Sequence, residues 1–214
     1  MSHPPRALKG VMRGVLVSSL SIVATASLAL EITVHDQAGQ PLADAVVFAV
    51  PSDVRPTLAA GTAIIDQVDK QFVPRVSAIA AGTTVTFPNK DDIKHQVYSF
   101  SPAKVFQLKL YHGVAAAPVV FDTAGLVVMG CNIHDGMVGY VYVVEAPYFA
   151  LADANGHVNL AELPHGTYRV EAWHYRMLSD PAPKTQTVAI GATTPSLELT
   201  VTTSAEQPAL PAFE

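Results

Sequence analysis

From Glu31 onward the chain is a succession of short apolar, β-branched or aromatic runs cut by turn residues, and no stretch carries an amphipathic helix of ordinary length. A period of two with breaks this frequent leaves little room for anything but sheets. The runs predict strands at EITVH (31–35), AVVFAV (45–50), TTVTF (83–87), HQVYSF (95–100), VVF (119–121), LVVMG (126–130) and MVGYVYVV (137–144). Four more follow at HVNL (157–160), TYRVEAW (167–173), TQTVAI (185–190) and SLELTV (196–201). Turn signals such as Gly39-Gln40-Pro41, Ala81-Gly82, Pro88-Asn89, Ala124-Gly125 and Asn155-Gly156 separate them. The expected fold class is all-β, a Greek-key sandwich or barrel.

The compartment decides how a lone cysteine is read. Residues 1–29 have the form of a secretory signal peptide: Arg6, Lys9 and Arg13 precede a mostly apolar run from Val15 to Leu28, and Ser27-Leu28-Ala29 offers small residues for cleavage. Ala24-Thr25-Ala26 is a second possible site, and an uncleaved anchor is the competing reading, although about 15 apolar residues is short for a membrane span. Without residues 1–29 the formal charge moves from −5 to −8, because three basic side chains and no acidic ones are lost. An acidic protein is a poor match for nucleic acid. Export to the periplasm, with no membrane span after cleavage, is the expectation.

Cys131 is the only cysteine, so it has no partner for an internal disulfide. A free thiol outside the cytoplasm is exposed to oxidation, which favours a protected, liganded one. Its neighbours are informative. Cys131, His134 and Met137 place a thiolate, an imidazole and a thioether within seven residues, between two predicted strands, so one short loop can present all three. Soft sulfur with imidazole suits copper, and two histidines, a cysteine and a weak axial methionine make a type 1 (blue) site. A second imidazole has to come from another strand. His95 opens HQVYSF and is the better placed; His112, in Leu110-Tyr111-His112-Gly113, is the rival.

This segment resembles the cupredoxins. The Cys-x-x-His-x-x-Met spacing matches the short ligand loop of the amicyanins, where plastocyanins and pseudoazurins have a longer gap before Met. FVPRVSAIAAGTTVTFPNKDDIKH (72–95) is similar to the strand, glycine turn, strand and first-ligand pattern of the family. The resemblance covers about 62–145 and implies one copper ion held by His95, Cys131, His134 and Met137, as in plastocyanin-like and methylamine-utilisation proteins. Two departures stand out: Gln96 replaces the usual Asn after the first ligand, and Ile133 the usual Pro before the second. Asn89 or Asn132 is expected to supply the missing tie between loops.

Residues 32–50 and 151–173 resemble the two halves of a carboxypeptidase-regulatory-like, or prealbumin-like, β module. The organisation expected is therefore a signal at 1–29, the first part of that sandwich at 30–60, a cupredoxin unit at 61–145, the second part at 146–203 and a disordered tail at 204–214. In this module Trp173 is expected in the core and His174 on the surface.

Four protein ligands leave no open position for a substrate, so electron transfer is expected rather than catalysis. The partners implied are redox proteins docking transiently on a monomer near His134, with Pro88, Ile93, Ile133, Gly136 and Val138 as an apolar rim and Asp91, Asp92, Lys94 and Asp135 as steering charges. The alternative is a copper-binding, storage or envelope-interaction module with no carrier role.

Overall fold

The computed structural model describes residues 28–53, 58–114, 117–177, 182–191 and 196–204. The signal reading lies outside these residues except for Leu28 and Ala29, which open the first strand. The tail reading lies outside them except for Ser204. That residue is anchored, because its amide donates to the Arg176 carbonyl at 2.8 Å and its own carbonyl accepts from Arg176 Nε at 2.9 Å.

Every regular element among the described residues is a strand. In chain order they are β1 (Leu28–Asp36), β2 (Val46–Pro51), β3 (Thr62–Ile64), β4 (Asp66–Val68), β5 (Gln71–Val73), β6 (Val76–Ala80), β7 (Thr83–Thr86), β8 (His95–Ser101) and β9 (Lys104–Tyr111). They continue with β10 (Val119–Phe121), β11 (Gly125–Gly130), β12 (Val138–Val144), β13 (Tyr148–Leu151), β14 (His157–Leu163), β15 (Gly166–Trp173), β16 (Lys184–Ile190) and β17 (Leu197–Val201). β3 to β6, β9 and β13 lie outside the predicted runs. β6 (VSAIA), in which Ser and Ala interrupt two β-branched residues, pairs in parallel along β12.

Five sheets result. A five-stranded sheet has the order β6-β12-β11-β8-β9, a three-stranded one β10-β7-β3, and β4 and β5 form a two-stranded sheet. The remaining two sheets are β14-β1-β17 and β13-β2-β15-β16. Strands from 28–51 thus pair with strands from 148–201, and among the described residues no ladder joins them to strands of 62–144.

The two groups nevertheless share a wall. β12 is buried along its whole length, as a strand covered on both faces must be. Its alternate residues Val138, Tyr140, Tyr142 and Val144 join a core with Leu30, Ile32, Val47, Val170 and Trp173. Val141 and Val143 face the opposite way, into a core with Ile65, Phe72, Phe87, Phe121, Met129, Cys131 and Met137. Tyr142 and Tyr140 pack on the Trp173 ring at centroid distances of 5.1 and 6.2 Å. Burying each such ring contributes on the order of 2 kcal/mol.

Two expectations need correction. His174 is not a surface residue: it is 2% exposed. Both ring nitrogens are satisfied inside, Nε2 on the Ala43 carbonyl at 3.1 Å and Nδ1 by the Arg176 amide at 3.3 Å. Val138 is not part of an exposed rim, because strand alternation turns it into the core shared with the flanking strands.

Candidate metal centre

β11 ends at Gly130, and the chain then tightens into a loop before β12 begins at Val138. The His134 amide donates to the Cys131 carbonyl at 3.4 Å, the Met137 amide to the His134 carbonyl at 2.9 Å, and the Val138 amide to the Gly136 carbonyl at 3.1 Å. These successive turns bring the side chains at 131, 134 and 137 to the end of the second core. β8, which pairs with β11, delivers His95 at its first residue.

The three polar ligand atoms converge. Cys131 Sγ lies 3.8 Å from His95 Nδ1 and 3.7 Å from His134 Nδ1, and all three atoms are within 4.8 Å of one another. His95 is 0% exposed and Cys131 2%, whereas His134 is half-buried, its ring 4.9 Å from that of His95 and inclined at 62°. Met137 is buried in the same core as Cys131. His112 is exposed and outside the cluster.

This spacing discriminates between chemistries. A thiol has one proton, so it can donate to only one of two imidazoles at this range. A first-row ion with bonds of about 2.0 Å to nitrogen and about 2.3 Å to sulfur would separate each nitrogen from the sulfur by about 3.7 Å at a trigonal angle. The two sulfur–nitrogen distances therefore match such an ion, and the thiolate-imidazole donor set is the one that suits copper.

The surroundings favour ligation by neutral rings. Burial, followed by the nearby His95 and Lys70, holds the His134 imidazole below its ordinary value, against a smaller opposing pull from Asp91. Behind the ligands lies a polar frame. Tyr111 donates to the Phe87 carbonyl and accepts from Gln67 Nε2, and burial pushes its phenol up to about 12. Burial, then Cys131 and Asp135, also raise the Tyr98 phenol.

Asp91 was expected only as a surface charge. The structure instead places its Oδ2 2.7 Å from His95 Nε2, on the side of the ring opposite Cys131. Burial would raise its carboxyl, but the Lys70 amide, His95 and the Asp69 amide together leave it below the usual carboxylate range. The sequence signal was present in the i, i+4 spacing of Asp91 and His95, yet that spacing has no meaning in a loop until the loop is folded. Asn89 is the loop tie, donating to the carbonyls of Ile93 at 2.8 Å and Tyr111 at 3.0 Å; Asn132 is exposed. His134 is half-buried, while Ile133, Ile93, Gly136, Asp92, Lys94 and Asp135 are exposed. A groove of about 410 Å³ runs beside it, with Asp69, Lys70, Gln71 and Phe72 on one wall and His134 to Val138 on the other.

No family model matches the chain, and no curated protein matches it in sequence. Solved structures do. A Cu-containing nitrite reductase from Thermus scotoductus SA-01 is 26% identical over 44% of this chain, with a TM-score of 0.37, and this chain spans only 25% of that protein's length. The reduced Cu(I) form of an amicyanin mutant is 20% identical over 45% of this chain and 98% of its own length, with a TM-score of 0.36. A purple cupredoxin from Nitrosopumilus maritimus is 29% identical over 38% of this chain and 96% of its own, with a TM-score of 0.32. All-β throughout its described residues, this chain is similar in structure to the cupredoxins over rather less than half of its length.

Proposed function

We propose that the chain is a type 1 copper protein that carries single electrons between redox proteins of the periplasm. The observation that supports this most is the convergence of two imidazole Nδ1 atoms on one buried thiol at 3.7 and 3.8 Å, in a site whose partly exposed member is His134. His95, Cys131, His134 and Met137 would hold the ion, and copper would supply the one-electron couple.

The chain's own residues do the rest. His95 opens β8, Cys131 directly follows its partner strand β11, and His134 and Met137 come from a hydrogen-bonded loop, so the donor atoms would be held in place whichever oxidation state is present. Burial excludes water from the thiolate. The part-exposed His134, with the exposed Ile133 beside it in sequence, would offer an apolar surface for brief docking of a partner, and redox encounters need only a small one. Residues 1–29 act in this reading as the export signal, and the copper unit at 61–145 interrupts a prealbumin-like sandwich made by 30–60 and 146–203, in a monomeric protein.

Titration of the purified protein with Cu(II) tests the reading. An intense visible thiolate-to-copper band at one equivalent, abolished by Cys131→Ser, is the expected result; a protein that binds copper without that band is not a type 1 carrier. Fast electron exchange with a small redox protein then separates a carrier from a copper store.

A further inference from the structure

The Asp91 carboxylate reaches two elements at once. Its Oδ2 is 2.7 Å from His95 Nε2 and also accepts the Lys70 amide at 2.9 Å, while Oδ1 accepts the Asp69 amide at 2.7 Å. Asp69 and Lys70 are the two central residues of the β4–β5 hairpin turn, and both have positive φ, 51° and 59°. That conformation suits a tight hairpin but is disfavoured for residues other than Gly, Asn or Asp by about 1–2 kcal/mol. Lys70 has no local side-chain means of offsetting this, so the turn is held from outside, by Asp91.

Asp91 is itself fixed. Its amide donates to Asn89 Oδ1 at 3.0 Å, and Asn89, 5% exposed, is anchored on two carbonyls. An ionised carboxylate only accepts hydrogen bonds, so a neutral His95 ring facing Oδ2 carries its proton on Nε2, and its lone pair lies on Nδ1, toward Cys131. One oxygen serves both the ring and the Lys70 amide. A ring that gives its Nδ1 lone pair to a cation has a more acidic Nε2–H and draws harder on that oxygen.

We propose that Asp91 is the positioning residue of the centre: it orients His95 for ligation and, through the same carboxylate, couples the filling of the centre to the β4–β5 turn that walls the groove beside His134. The coupling rests on the copper reading; the orientation of His95 in the empty protein does not.

The test uses the ¹⁵N-labelled full chain. In the metal-free protein, at a pH where the ring is neutral, the ring shifts of His95 should show the Nε2–H form; the Nδ1–H form overturns the orientation. Amide exchange at Asp69 and Lys70 should be at least tenfold faster in Asp91→Ala than in wild type, and should slow severalfold on Cu(I) loading in wild type but not in the variant. Exchange rates unmoved by Asp91→Ala, or by Cu(I) in wild type, overturn the coupling. Should Asp91→Ala not fold, the wild-type tautomer and Cu(I) response decide alone. Absence of the Cu(II)-thiolate band in wild type identifies failure of the copper reading, and with it the coupling, while the tautomer remains readable.

Discussion

At the scale of single residues, burial ranks the proposed ligands. His95 is enclosed and His134 half-exposed, so their removal has different consequences. Both His95→Gly and His134→Gly should abolish the thiolate-to-copper band. Millimolar imidazole should restore it in His134→Gly, where a ligand can enter from solvent, and not in His95→Gly; equal rescue of both would contradict the burial. His174 carries a second consequence. Burial, the largest influence, and then the charges of Arg176 and Arg75 outweigh the Ala43 hydrogen bond and hold its imidazole at about 4. A folded value below the unfolded one means that the neutral ring stabilises the fold at pH values above about 6.5, and that this is lost as pH falls from there through 4, at most about 3 kcal/mol. Melting temperature should therefore fall more steeply between pH 6.5 and 4 in wild type than in His174→Gln, which cannot charge. Parallel curves would show that the ring is not held neutral.

At the scale of elements, β12 depends on a close approach. A Cβ on Gly139 would lie 2.9 Å from Phe72 Cβ and 3.1 Å from Met129 Cε, so β5 can cross this strand only because residue 139 has no side chain. Gly139→Ala should destabilise the protein by about 1–3 kcal/mol through overpacking, seen as a lowered denaturation midpoint; an unchanged midpoint would mean that Phe72 moves freely. Elements also show what was legible beforehand. The spacing of Cys131, His134 and Met137 is local, so the loop could be read directly, and His95 was marked by its place at the head of a strand. Asp91 was misread because its role depends on β4 and β5, three-residue strands too short to leave a period. β9 (KVFQLKLY) carries a partly alternating pattern; β6 does not, and is held by its pairing with β12.

Across the whole molecule, the Tyr140–Trp173–Tyr142 contacts join the strands around the candidate metal centre to the flanking strands, so the two groups should unfold as one cooperative body. Trp173→Ala, though on β15 and far in sequence from any ligand, should cost about 3–5 kcal/mol. In chemical denaturation of the copper-loaded protein, the thiolate band and tyrosine fluorescence should be lost together in wild type and at an equally lowered midpoint in the variant. A band midpoint unaffected by Trp173→Ala would show two independent bodies. His174's placement was misjudged for the same reason: a polar residue next to a core tryptophan looks exposed until Ala43, remote in sequence, supplies its acceptor.

The pairing of β1 with β14 and β17 has a temporal side. β1 leaves the ribosome well over a hundred residues before either neighbour, and β2 waits almost as long for β15. In the interval the strands of 62–144 can close among themselves, whereas β1 and β2 remain open-edged and apolar, the condition in which chains join one another instead of themselves. Truncation after β12 would make that interval permanent, and the orphaned first two strands, rather than any damage to the metal ligands, would govern how much of such a fragment stays in solution.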